Sequence, residues 1–214
     1  MRTIPKKTSK VTQVIKNHIA ENIKAYIIVS LIMLIGIVLG VIFINNMSET
    51  QVQDIQSYLT NFIDSLKDGK SINSGELLKK SLGNNLLLVF LMWFVGSTVI
   101  GIPIVLGIVA FRGFCLGYTI SAAIKIWGTG KGMLFFATSM LLQNLIAVPC
   151  IIALAVSGIK LYKSIIKDKR RENIKFEIVR HTIFSLIILV ILAISSIIET
   201  YLSTNLLMLC KSCF

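Results

Sequence analysis

The stretch Phe111–Ile120, FRGFCLGYTI, sets an arginine inside the longest apolar reach of the chain, with Gly113 and Gly117 on either side of Cys115. Such an arginine is a buried functional charge, a membrane-surface anchor, or the mark of a junction between two segments. The choice fixes how often the chain crosses a bilayer, and so limits what the protein can do.

A bilayer core of about 30 Å asks for about 18 or more uncharged apolar residues per helix. Ala25–Ile44 is one such run, Leu86–Phe111 a second, Met133–Ile159 a third, and Thr182–Ile198 a shorter fourth. No acidic residue occurs from Leu77 to Lys167, which is foreign to a soluble domain. The 214 residues, 55% of them apolar, therefore read as a single integral membrane domain of all-α class, a polytopic helical bundle. The first apolar run is too long for the core of a cleavable signal, and no A-x-A-like site follows in VIFINNMSET, so it is expected to stay as a signal anchor.

The net charge of +12 is distributed as topology demands rather than as a nucleic-acid surface. Arg2, Lys6, Lys7, Lys10, Lys16 and Lys24 precede the first span, and Lys160, Lys163, Lys167, Lys169, Arg170, Arg171, Lys175 and Arg180 fill the segment before the last. The positive-inside rule puts residues 1–24 and 160–181 in the cytoplasm, beside anionic headgroups. Residues 45–85 balance lysines against carboxylates and are expected outside. Leu86–Phe111 then returns to the cytoplasm and leaves Arg112 as a topology anchor at the inner surface, where its long stem can snorkel. Met133–Ile159 gives one further crossing and the short Gly113–Trp127 another, tilted or in a thinned bilayer. The glycine-rich GTGKG, 128–132, is the turn between them. The result is about five transmembrane helices, N-terminus in and C-terminus out. A rival topology makes 113–132 a re-entrant loop and puts the second basic segment outside, against the charge rule.

The external loop has a pattern of its own. Ser48 with Gln51 reads as a capping box. Val52, Ile55, Leu59, Phe62 and Leu66 follow at spacings of three and four, an apolar stripe on an amphipathic helix. That stripe either packs on its own bundle or in the headgroup layer, or docks an extracytoplasmic partner. DGKSINSG, 68–75, breaks the helix, and Glu76–Leu82 is expected to start a second, short helix that feeds the next span.

Chemistry-bearing patterns are scarce. His18 and His181 are far apart in sequence, and neither H-E-x-x-H nor G-x-S-x-G occurs. GTGKG lacks the spacing and the Ser/Thr of a phosphate loop. Cys210 and Cys213 form C-x-x-C without a second ligand pair, while Cys115 and Cys150 read as small apolar residues within spans. No catalytic, cofactor or metal residue is assigned. Gly36 with Gly40, and Gly113 with Gly117, are G-x-x-x-G pairs that let helices approach closely. Pro103 and Pro149 predict kinks. Gln143, Asn144 and Glu199 are polar residues in or beside spans and require partners. Glu199 is expected to meet Lys125 or Lys131 at the outer side rather than Arg112.

The order of these features resembles the stage II sporulation protein M family over almost the whole chain. The resemblance is carried by Asn84–Asn85, by the G-x-P of Gly101–Pro103, by FRGFCLGY, and by the E-T-Y-L-S of Glu199–Ser203. It implies a non-enzymatic scaffold in the mother-cell septal and engulfing membrane of endospore formers. The partners it implies are the peptidoglycan-degrading stage II sporulation proteins P and D. Apart from the resemblance, the basic segments point to membrane lipid, the small and polar span residues leave a homo-oligomer open, and no nucleic acid is expected. The alternative is a permease-like subunit of an export complex, since kinked spans with mid-span amides can line a path.

Overall fold

The computed structural model describes residues 16, 18–67, 74–98, 101–167, 171–203 and 205. Among them the chain is helical and contains no strand. The helices are α1 (Ile23–Asn45), α2 (Glu49–Lys67), α3 (Ser74–Gly96), α4 (Gly101–Ser139), α5 (Leu141–Lys167) and α6 (Arg171–Ile198), and a π-helical turn, Glu199–Ser203, extends the last. Five segments are long and apolar enough to cross a membrane: Ile23–Asn45, Gly75–Gly96, Gly101–Ser139, Leu141–Ile166 and Ile174–Leu202. The protein is a multi-pass helical membrane protein.

Helix α1 is apolar all round, as a lipid-facing helix must be. Its inward side is nonetheless narrow and regular: Ala25, Val29, Met33, Gly36, Gly40 and Ile44 are buried at spacings of three and four. Ile27, Leu31, Leu34 and Ile35 stay about half exposed, toward the lipid. The buried stripe lies on α4, and the two helices run parallel. A Cβ on Gly36 would stand 2.1 Å from the carbonyl oxygen of Ala110, and one on Gly40 2.3 Å from that of Phe114. Reciprocally, a Cβ on Gly113 would stand 2.3 Å from the Met33 oxygen, and one on Gly117 2.1 Å from the Ile37 oxygen. Each G-x-x-x-G pair is thus the seat for the other helix's backbone. The Phe43 ring meets Phe114 at 5.6 Å and Tyr118 at 6.2 Å beside this seam. Above it, Lys125 Nζ donates to the Ile44 carbonyl at 2.8 Å, an oxygen at the end of α1 that Met47 N also reaches at 3.3 Å.

Helix α4 reverses at Gly128, whose φ of 80° lies in the left-handed region that glycine adopts without a Cβ penalty. The return limb packs back on the outgoing one. A Cβ on Gly132 would fall 2.6 Å from Ile124 Cα, and Trp127 and Phe135 meet edge to face at 5.1 Å. GTGKG is therefore a hairpin turn. Its outgoing limb, at 1.5 Å per residue, spans about 40 Å and carries the turn past a core of about 30 Å.

The span boundaries differ from those read in the sequence. Leu86–Phe111 is not one span: α3 ends at Gly96 and α4 begins at Gly101. The break is built from small groups that leave no hydropathy signal. Ser97 Oγ donates to the Trp93 carbonyl and Thr98 Oγ1 to the Val95 carbonyl, both at 2.7 Å, which closes the end of α3 locally. The backbone then turns so tightly that a Cβ on Gly101 would lie 1.7 Å from the Val95 oxygen. Pro103 sits in the first turn of α4, where its missing N–H costs nothing, so it starts a helix instead of kinking one. The third crossing is consequently not a short Gly113–Trp127 but the full limb from Gly101. Arg112 lies about 16 Å along that limb, near mid-depth and not at an inner surface. Glu76–Leu82 is likewise not a separate helix; it is the polar first half of α3. Pro149 is accommodated within a continuous α5.

The core is formed by α1, α3, α4, α5 and α6 around Val29, Met92, Val109, Leu154, Ala155 and Leu192. At one end His181 is buried against Gly96 and Gly158, with Nδ1 2.9 Å from Ser157 Oγ. Trp93 Nε1 donates to Thr182 Oγ1 at 3.0 Å beside it. The described parts of the two basic segments meet at this end: Lys160 pairs with Glu21 at 3.6 Å, and the His18 ring stacks on Phe184 at 5.8 Å and lies 3.3 Å from the Tyr26 hydroxyl. Helix α2 is at the opposite, far end. Its start carries the expected cap, Ser48 N donating to Gln51 Oε1 at 3.2 Å. Val52, Ile55 and Leu59 are half-buried, and Ile55 and Leu59 turn toward Tyr118, Ala122 and Phe135 of α4. Ile55 and Leu59 thus face the bundle, and Tyr58 is 74% exposed. The side chains of Phe62 and Leu66, and Cys210 and Cys213, lie outside the described residues.

Two outcomes follow from this packing. Gly36→Ala and Gly117→Ala each force a methyl into a backbone carbonyl and are expected to cost at least about 2 kcal/mol in a reversible unfolding assay in micelles. Gly83→Ala, where a Cβ meets nothing within 4 Å, is expected to be neutral or slightly stabilising. Burial of the His18 ring, then the charges of Lys160 and Arg180, push its pKa below the ordinary value, against a smaller opposing effect of Glu21. The unfolded chain then takes up this proton first as pH falls through about 6.5, so stability is lost from there downward. His18→Phe retains the stack on Phe184 and is expected to reduce the loss of melting temperature between about pH 7.5 and 5.5. Equal pH slopes for wild type and variant would contradict this assignment.

Candidate functional site

Polar residues from four elements meet in a cavity of about 280 Å³ in the bundle, on the far side of mid-depth. Helix α3 contributes one face, with Leu77, Ser81 and Asn84 at helical spacing and Asn85 beside them. Helix α4 contributes Arg112, Cys115 and Thr119, the start of α5 gives Gln143 and Asn144, and the π-helical turn gives Glu199. The α1–α4 seam presents this face of α4 to the cavity, because Gly113 and Gly117 commit the opposite side to α1.

Hydrogen bonds tie the wall together. Ser81 Oγ donates to Glu199 Oε2. Ser81 Oγ and Ser196 Oγ are 3.0 Å apart, and Asn85 Nδ2 donates to Ser196 Oγ at 2.8 Å. Ser195 Oγ donates to the Gln143 carbonyl at 3.3 Å, and Asn144 Nδ2 to the Met140 carbonyl at 2.9 Å. Ser81, Asn85, Gln143, Asn144 and Ser196 are all buried. On the other wall, Arg112 Nε is buried and has no hydrogen-bond partner among the described residues. A guanidinium at this depth is costly in hydrocarbon unless it faces a polar space, and the cavity supplies one.

Four residues singled out in the sequence, Arg112, Gln143, Asn144 and Glu199, therefore share one cavity. The expected meeting of Glu199 with Lys125 is corrected: Lys125 closes the end of α1, and Glu199 is bonded to Ser81. Ser81, Ser196 and the exposed rim residue Lys80 had no signal in the pattern, since a serine in a span is equally a packing residue. Three of the motifs that carry the resemblance, Asn84–Asn85, FRGFCLGY and the start of E-T-Y-L-S, line this same cavity. Among the described residues no group of three or more His, Cys, Asp or Glu side chains is placed to hold a metal ion.

The class defined by these features is a multi-pass helical membrane protein with a polar-lined cavity between its spans. The family model of stage II sporulation protein M matches residues 29–204, and the chain belongs to that family. No curated protein and no solved structure matches it.

The wall can be probed directly. Asn85→Leu removes the donor to Ser196 and places an alkyl group beside Glu199. It is expected to destabilise the purified protein by about 1 kcal/mol, within the range for hydrogen bonds between membrane helices. Asn22→Leu, which loses a bond only to its own preceding turn, serves as the comparison.

Proposed function

We propose that the chain is a non-enzymatic membrane scaffold of endospore formation, holding peptidoglycan-degrading partners at the septal membrane during engulfment. Family membership supports a role in sporulation. The observation that carries the scaffold reading is the position of α2. It is a polar-faced helix held at one end of the bundle by its apolar stripe, with Gln51, Asp54, Ser57 and Tyr58 left exposed. A helix fixed in this way presents a defined outward surface and contributes little to the core. The convergence of both basic segments at the other end supports α2 facing the wall, with the N-terminus inside. Partner docking then falls on the exposed face of α2, and the stripe of Val52, Ile55 and Leu59 holds the helix in place. The partners proposed are the stage II sporulation proteins P and D, which would supply the catalytic groups.

A second reading, a permease-like export subunit, is favoured by the polar cavity between the spans. Co-purification of the full chain from sporulating cells separates the two. The scaffold reading expects wall hydrolases in the complex, and their loss in a Tyr58→Lys, Ser57→Lys variant that remains in the membrane at normal abundance. Recovery of an ATPase subunit with no wall hydrolase would overturn it.

A further inference from the structure

We propose that the polar cavity is a binding site for a zwitterionic phosphate–ammonium group, in the first place the headgroup of an aminophospholipid. Arg112 is the cationic wall, with its Nε buried and unpartnered among the described residues. Glu199 is the anionic wall, steadied by Ser81. A group carrying a phosphate and an ammonium a few atoms apart complements both walls, whereas a simple anion leaves Glu199 opposed. The cavity, about 280 Å³ in volume, suits a headgroup-sized solute.

The rim shows how such a group would enter. Lys80 and Asn84 line the cavity and are exposed, and Leu87 and Leu91 continue the same stripe of α3 at spacings of three and four. Leu87 is 57% exposed and Leu91 40%. The stripe is therefore polar where it borders the cavity and apolar where it continues along the lipid-facing side. A phospholipid can place its phosphate between Lys80 and Arg112, its ammonium at Glu199, and an acyl chain along Leu87 and Leu91. Asn84 is left to donate to the phosphate or ester oxygens at the entrance. A soluble phosphoethanolamine offers the same headgroup chemistry without the chain.

The test uses the full-length protein in nanodiscs of equimolar phosphatidylethanolamine and phosphatidylglycerol, with retained lipid counted by native mass spectrometry after release. Wild type is expected to retain phosphatidylethanolamine over phosphatidylglycerol by about tenfold, the scale of a hydrogen bond to a charged group. Glu199→Gln is expected to erase that discrimination while leaving phosphate-dependent retention, and Arg112→Gln to lower retention of both lipids. A merely structural role for Glu199 would not change the ratio between two lipids. Where either variant fails to fold, the exposed-rim variant Asn84→Leu is read instead, with lower retention expected. If soluble phosphoethanolamine displaces the lipid completely, the chemistry holds and the natural ligand is soluble; displacement only by intact lipid assigns it to the membrane. Equal retention of both lipids by wild type, or an unchanged ratio in Glu199→Gln, overturns the proposal.

Discussion

Two helix backbones in van der Waals contact are the constraint on which the rest of this bundle depends. Between apolar helices in a bilayer there is no water to expel, so attraction must come from close packing and weak polar contacts. Gly36 and Gly40 on α1 and Gly113 and Gly117 on α4 remove the side chains that would hold the axes apart, and carbonyl oxygens fill the space. The arrangement is reciprocal, so a change on either helix is felt on both. It also orders the helices in rotation, since only one face of α4 carries the glycine pair.

That rotational order has a chemical consequence. With Gly113 and Gly117 turned to α1, Arg112, Cys115 and Thr119 are directed to the other side, where α3, α5 and the end of α6 close around them. A guanidinium at mid-depth then has a polar space, and a wall of hydroxyls, amides and one carboxylate to face. The hairpin at Gly128 brings the chain back so that Gln143 and Asn144 reach the same level. The outer helix and the cavity are thus separate features: α2 provides a surface beyond the bundle, and the spans line a site within it.

Much of this was legible in the sequence, for identifiable reasons. Membrane-length apolar runs, the two G-x-x-x-G pairs, the capped stripe after Ser48 and the glycine turn all depend on local spacing, which sequence displays directly. The break after Gly96 was not legible, because its agents are two hydroxyls bonding back to their own helix and a glycine folded against Val95, all neutral and compatible with a span. Missing it moved Arg112 from mid-depth to a surface. The polar first half of α3 was read as a short helix before the span for the converse reason: Glu76, Lys79 and Lys80 look external until Ser81 and Asn85 are seen bonded to α6 and its terminal turn. Arg112 and Glu199 were each visible, but their sharing one cavity is a product of tertiary packing across most of the chain.

The parallel α1–α4 seam can be tested most directly by engineered disulfide formation in the membrane. Phe43 and Phe114 have ring centroids 5.6 Å apart across it. In a background with the native cysteines replaced, Phe43→Cys with Phe114→Cys should cross-link rapidly under mild oxidation, read as a gel shift after cleavage between α1 and α4. Phe43→Cys with Phe90→Cys, on a helix whose exposed face carries Phe90 toward lipid, should not. Efficient cross-linking of the second pair and none of the first would contradict the seam, and with it the placement of Arg112 inside the bundle.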